Sequence, residues 1–272
     1  MGQYTVTDLG VLPGGTYTYG VRMNNAGQVV GYGNDSSTYQ AFMYSGGVLN
    51  TLGPGWSYST GTHVSDGGYS TGYAQISANS YAFVFDGATS TYYAAPGGDY
   101  AYGYGVNDLG VATGYGTTPG NSAVHATLFA GGVTTDLGTL GGSYSYGMAI
   151  NNSNEVAGYS YVSGDASYHA TLWSGGGVTD LGTLGGSYST ASWIDSLGNA
   201  YGSAYVTGDT GYQATMWSGG TAIGLGTLGG DYSGFSMVKE GWGAGWSYLA
   251  GNSAYHAFVS HGAVVSDIGT LG

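Results

Sequence analysis

Apolar and polar residues alternate along this chain in runs of roughly six to eight, each bounded by clusters of Gly, Asn, Asp and Ser. The stretch after Thr135 shows this best: Asp136-Leu137-Gly138-Thr139-Leu140-Gly141-Gly142, then Ser143 to Ile150, then a turn at Asn151-Asn152-Ser153-Asn154, then Glu155 to Val162. A Gly/Asp/Ser loop leads to Tyr168-His169-Ala170-Thr171-Leu172-Trp173-Ser174 and three glycines. Alternation of this kind puts every second side chain on one face of an extended strand, whereas a helix repeats its stripe about every 3.6 residues. No window carries the helical stripe. The pattern predicts short antiparallel strands, about four per segment.

The segment recurs six times. One glycine of its second strand falls at Gly31, Gly72, Gly114, Gly158, Gly202 and Gly245, in steps of 41, 42, 44, 44 and 43. A tyrosine after the Gly-rich turn recurs as Tyr17, Tyr58, Tyr100, Tyr144, Tyr188 and Tyr232. An alanine of the third strand recurs as Ala41, Ala82, Ala126, Ala170, Ala214 and Ala257. Copies of about 43 residues with four strands have the size of a propeller blade. The expected fold is therefore all-β: a six-bladed β-propeller of about four antiparallel strands per blade, forming one repeat domain over residues 1–272. A β-solenoid is the alternative; its coils are usually shorter, and these copies do not subdivide. The count leaves one strand over. The Asp-Leu-Gly strand type occurs near residues 5–10, 48–53, 89–95, 133–138, 178–182, 221–226 and 264–269, seven times for six blades. A surplus terminal strand (1–10 or 262–272) is expected, either frayed or paired with the sheet edge of another molecule.

Composition narrows the function. Gly supplies 57 residues and Tyr 28, but 42% hydrophobic content argues against disorder. Arg22 and Lys239 are the only basic residues and the net charge is −13, which excludes nucleic acid as an expected partner. Without cysteine there are no disulfides or thiolate metal sites. No run of about 18 apolar residues predicts membrane insertion. The start, Met1-Gly2-Gln3-Tyr4-Thr5-Val6, lacks the basic and apolar regions of a secretion signal.

The copies resemble the HAF repeat, a probable extracellular repeat of bacteria. Its triplet stands as His256-Ala257-Phe258, and as His-Ala-Thr at 125–127 and 169–171. Its Asp-Leu-Gly-Thr-Leu-Gly-Gly stands at 136–142 and 180–186, with Gly224 replacing Asp at 224–230, and Asp267-Ile268-Gly269 opens a shortened copy. The hairpin Met23-Asn24-Asn25-Ala26-Gly27-Gln28-Val29-Val30-Gly31 is similar to another part of that repeat. The resemblance implies an extracellular or cell-surface location and no defined catalytic residue.

Motifs with catalytic associations dissolve into the repeat. Gly68-Tyr69-Ser70-Thr71-Gly72 has the spacing of a nucleophile elbow, but that motif needs a strand–turn–helix and here spans a hairpin. Gly224-Leu225-Gly226-Thr227-Leu228-Gly229 has dinucleotide spacing without the helix start that receives pyrophosphate. His125, His169 and His256 share one repeat position on separate copies, so they read as structural, hydrogen-bonded to backbone, rather than as metal ligands. The Asn/Asp hairpins read as turns rather than calcium loops. The repeated Asp at 8, 136, 180 and 267 is expected to fix a turn or bond amides of the neighbouring copy. No paired carboxylates stand apart from the repeat, so no catalytic residue, metal or cofactor is expected. Tyr17, Tyr58, Tyr100, Tyr144, Tyr188 and Tyr232 are the candidate ligand-binding residues, suited to sugar rings; the competing reading has each ring packed on the next copy. Expected functions are a non-enzymatic structural or assembly module of a bacterial surface, matrix or filament, joined through terminal strands, or a lectin-like propeller binding polysaccharide.

Overall fold

The computed structural model describes residues 6–53 and 55–270. These form six consecutive four-stranded antiparallel meanders, with no α-helix among the described residues. The first holds β1 (Thr18–Met23), β2 (Val29–Asn34), β3 (Tyr39–Ser45) and β4 (Val48–Thr51). The second holds β5 (Tyr58–Val64), β6 (Ser70–Ile76), β7 (Asn79–Phe85) and β8 (Ser90–Tyr93). The third holds β9 (Ala101–Val106), β10 (Ala112–Thr117), β11 (Val124–Ala130) and β12 (Val133–Asp136). The fourth holds β13 (Gly141–Ile150), β14 (Val156–Val162), β15 (Tyr168–Ser174) and β16 (Gly177–Gly182). The fifth holds β17 (Gly185–Ile194), β18 (Ala200–Val206), β19 (Tyr212–Ser218) and β20 (Thr221–Gly224). The sixth holds β21 (Gly229–Lys239), β22 (Trp242–Leu249), β23 (Tyr255–His261) and β24 (Val264–Gly269).

Consecutive meanders touch edgewise through a single parallel pair: Tyr39 with Tyr58, Ser80 with Tyr100, Val124 with Tyr144, Tyr168 with Tyr188, and Tyr212 with Tyr232. A solenoid would stack successive copies through long parallel ladders instead. The contact between meanders is made by side chains. Ala41, Ala82, Ala126, Ala170 and Ala214 are fully buried there. The amides of Ala41, Ala126, Ala170 and Ala214 donate to the hydroxyls of Ser59, Ser145, Ser189 and Ser233 in the following meander, at 2.8–3.0 Å. Phe42, Phe83, Phe129, Trp173, Trp217 and Phe258 fill the space between sheets, all buried. Each such side chain contributes roughly 1.5–3 kcal/mol.

The glycine of each second strand has a steric cause. A Cβ on Gly31, Gly72, Gly114, Gly158, Gly202 or Gly245 would overlap a carbonyl oxygen of the facing strand, that of Tyr19, Thr60, Tyr102, Tyr146, Thr190 or Gly234. In each case the facing strand carries a β-bulge just beyond, which brings its backbone close.

The sixth seam differs from the five internal ones. No pairing joins β23 to β1 among the described residues. Ala257 is exposed where its five counterparts are buried, and five of the six residues of β1 are exposed. Tyr255, Val264 and Ile268 are each 60% or more exposed. The Asp8-Leu9-Gly10 copy forms no strand, while β24 occupies the outer position of the sixth meander. Residues 1–5 and 271–272 of the expected surplus strands lie outside the described residues.

Candidate functional site

The six candidate tyrosines sit where the meanders meet. Tyr58, Tyr144, Tyr188 and Tyr232 are the first-strand partners in the parallel pairs, and Tyr100 bridges Ser80. They are half-buried or, for Tyr17, Tyr100 and Tyr144, about two-fifths exposed. Tyr17, Tyr58, Tyr188 and Tyr232 belong to a larger array that the six-fold ladder alone does not reveal, and Tyr144 joins it through Tyr161. Ring contacts run without a break through Tyr17, Tyr39, Tyr58, Tyr73, Tyr102, Tyr115, Tyr146, Tyr159, Tyr168, Tyr188, Tyr205, Tyr212, Tyr232, Tyr248 and Tyr255. Successive centroids are 4.6–6.2 Å apart. These residues come from first strands, second strands and the starts of third strands. Burial pushes several of the phenols up, Tyr73 to about 12. Tyr17 also rises to about 12, chiefly through its hydrogen bond with Tyr39. Between the fourth and fifth meanders the belt opens into a shallow pocket of about 280 Å³, lined by Tyr168, Tyr188, Tyr205 and Tyr212 with Ser189, Thr190 and Ser203.

The histidines correct an expectation. His125, His169 and His256 do not bond backbone. Their Nδ1 atoms lie 2.8–2.9 Å from Asp136, Asp180 and Asp267 of the adjacent outer strand. The same carboxylates accept from the amides of Gly138, Gly182 and Gly269, so each Asp fixes a turn in its own meander and bonds no neighbouring one there. In the fifth copy, where Gly224 replaces Asp, Gln213 replaces His and its Oε1 accepts from Gly226 instead. The constant spacing of eleven residues between His and Asp is the sequence signal for this pairing. These exchanges hold a turn, which is a structural task.

One end of the molecule carries the hairpins between first and second strands. Asn24, Asn107 and Asn151 each accept two amides of their own turn through Oδ1. Their Nδ2 groups reach the next hairpin, at the carbonyls of Ser65, Asn151 and Asp195. Turn formation thus explains the Asn/Asp hairpins, and no cluster of metal-binding residues exists among the described residues. At the equivalent position of the sixth copy stands Lys239, whose Nζ reaches Asp66 of the second meander at 3.1 Å. All six first strands end on one central cavity of about 290 Å³. Its wall includes Arg22 and Lys239, the two basic residues of the whole chain. Ser70, at the elbow-like motif, is fully buried at the start of a strand, and the segment 224–229 runs from strand to strand, so neither has the context its motif needs.

No protein-family model and no curated protein matches the chain. Among solved structures it is similar to TolB from Acinetobacter baumannii, with 10% identity and a TM-score of 0.50, covering 90% of this chain and 64% of that one. It also aligns with the β-propeller domain of the Trilobed protease from Pyrococcus furiosus, with 8% identity and a TM-score of 0.45, over 93% of this chain and 98% of that one. The chain is an all-β protein with β-propeller neighbours.

Proposed function

We propose that the chain is a six-bladed β-propeller of HAF-like repeats that works, without catalysing a reaction, as an exported structural module assembling copy to copy. The observation that carries this reading is the open sixth seam. Its two faces hold the same groups that the internal seams use. Tyr255 and Tyr17 occupy the positions of the parallel tyrosine pairs. The exposed strand of Ala257 offers the amide, and Thr18 the hydroxyl, of the Ala–Ser bond.

At internal seams one segment both completes the outer edge of a meander and leads into the next. Ser145 and Ser189 anchor it through the carbonyls of Gly138 and Gly182, and Thr18 anchors Gly10 in the same way. At the sixth seam these two tasks fall to separate segments, Asp8–Gly10 and β24, which compete for one place. Whichever loses is a strand without a sheet in its own molecule, and another copy offers the matching edge. A contact between unlike faces propagates open-endedly. Light scattering over a range of concentrations tests this: mass rises with concentration for the full chain and not after deletion of residues 1–9. A particle that stays monomeric throughout, unaffected by the deletion, ends the reading.

A second reading, a lectin-like propeller, is favoured by the tyrosine pocket at Tyr188, whose flat rings and neighbouring hydroxyls suit a sugar.

A further inference from the structure

The bulge in every first strand shapes the centre of the molecule. An extra residue in a strand reverses the facing of the residues beyond it. The residues directly beyond the six bulges are Arg22, His63, Gly105, Ala149, Trp193 and Met237, and all six line the central cavity. By contrast, the second-strand glycine and the third-strand alanine are the same residue six times. At this position no residue occurs twice. A position that packs against equivalent neighbours is expected to repeat, so a ring of six different side chains is not explained by packing.

Their order around the centre divides the wall in three. Arg22 and His63 form a polar part on adjacent meanders. Gly105 and Ala149 leave room. Trp193 and Met237 form an apolar part. The cavity of about 290 Å³ is at the small end of ligand sites, which run from roughly 300 Å³ upward.

The carboxylates of this wall have other partners. Asp66 accepts from Lys239 and from the amide and side chain of Asn25. Asp108 accepts from the Gly67 amide and Asn152. Glu240 accepts from the Ser196 hydroxyl. Arg22 forms no ion pair among the described residues, in a chain of net charge −13. Beside it, His63 Nδ1 is buried with no hydrogen-bond partner. Burial first, and the charge of Arg22 second, push the His63 imidazole down to about 4, so it is neutral near pH 7. With its proton on Nε2, the neutral imidazole offers Nδ1 as an acceptor.

We propose that the central cavity binds an acidic monosaccharide unit of the uronate class: carboxylate on Arg22, a ring hydroxyl donating to His63 Nδ1, and the flat sugar face on Trp193. Guanidinium suits a carboxylate through paired N–H donors. The indole suits a sugar face by offering a broad apolar surface. The site is separate from the tyrosine pocket and needs no contact between copies.

Calorimetric titration of the full chain tests it with galacturonate, galactose and benzoate. Galacturonate is expected to saturate the protein, with galactose at least about tenfold weaker for lack of the carboxylate and benzoate at least about tenfold weaker for lack of hydroxyls. Arg22→Gln should lose about tenfold in galacturonate affinity and Arg22→Lys less, with the unfolding midpoint unchanged in both. Equal affinity for galacturonate and galactose, or for galacturonate and benzoate, overturns the proposal, as does no saturation by about 10 mM. The ligand comparisons use the unaltered chain, so they decide the matter even if a variant fails to fold.

Discussion

One imidazole and a few carboxylates set how the folded chain responds to acid. His63 is held down to about 4, mainly by burial and then by Arg22, from an ordinary value of 6.5. Between those values the unfolded chain takes up a proton that the folded chain refuses. Stability from His63 is therefore complete above 6.5 and is lost as pH falls toward 4. The loss is on the order of 1–3 kcal/mol, since the ring is partly exposed to the cavity. The carboxylates act lower. The hydrogen bond to His256, then the Gly269 amide, holds Asp267 below its usual 3.8, and turn amides do the same for Asp35 and Asp86. Their contribution is present above 3.8 and disappears as pH falls through the lowered values. Thermal unfolding followed against pH should thus show two declines, and His63→Gln should remove the upper one alone. An unchanged upper decline in that variant would show that His63 is not its source. At this scale the sequence is only partly legible. His125 and Asp136 pair across neighbouring strands, so their link appears as a spacing and not as a motif.

At the level of elements, alternation and turn residues located the strands because each strand buries one face. The recurring glycine marked a close approach whose cause, the bulged carbonyl opposite, could not be seen in the chain. The bulge also hid the cavity. Beyond it the parity of inward and outward side chains reverses, so Arg22, His63 and Trp193 could not be assigned a facing from alternation. The Asp8-Leu9-Gly10 copy matches the outer strands in sequence and forms none, while β24, of the same sequence type, pairs with β23. A direct test of the bulge–glycine fit is Gly158→Ala. Its Cβ would overlap the Tyr146 carbonyl, whereas a Cβ on Gly177 meets only the Ser174 carbonyl at 3.4 Å. Gly158→Ala should cost about 2–4 kcal/mol in denaturant unfolding and Gly177→Ala under about 1. Similar costs at the two sites would mean that the fourth meander yields easily at its bulge.

Over the whole molecule two different chemistries join the meanders. The hairpin end is joined by amide side chains passing from turn to turn, and the tyrosine belt supplies the second. The ladder of six tyrosines was legible as a repeat, and four of them stand in the belt; its other eleven rings were not legible, because they come from different strands and meet only once the meanders stand side by side. A belt of touching phenols has a collective alkaline limit. Burial raises Tyr115, Tyr159 and Tyr73, and nearby phenols raise them further, since each phenolate would face another ring instead of water. These groups favour the folded chain fully below the ordinary value of 10, and that contribution is lost as pH rises through their higher folded values. Titration followed by phenolate absorbance should therefore split. A late component from Tyr73, Tyr115 and Tyr159 is expected, Tyr73 at about 12, together with the loss of the sheet signal in circular dichroism. If no late component appears while that signal persists, Tyr73, Tyr115 and Tyr159 are reached by water and their rings do not hold the meanders together.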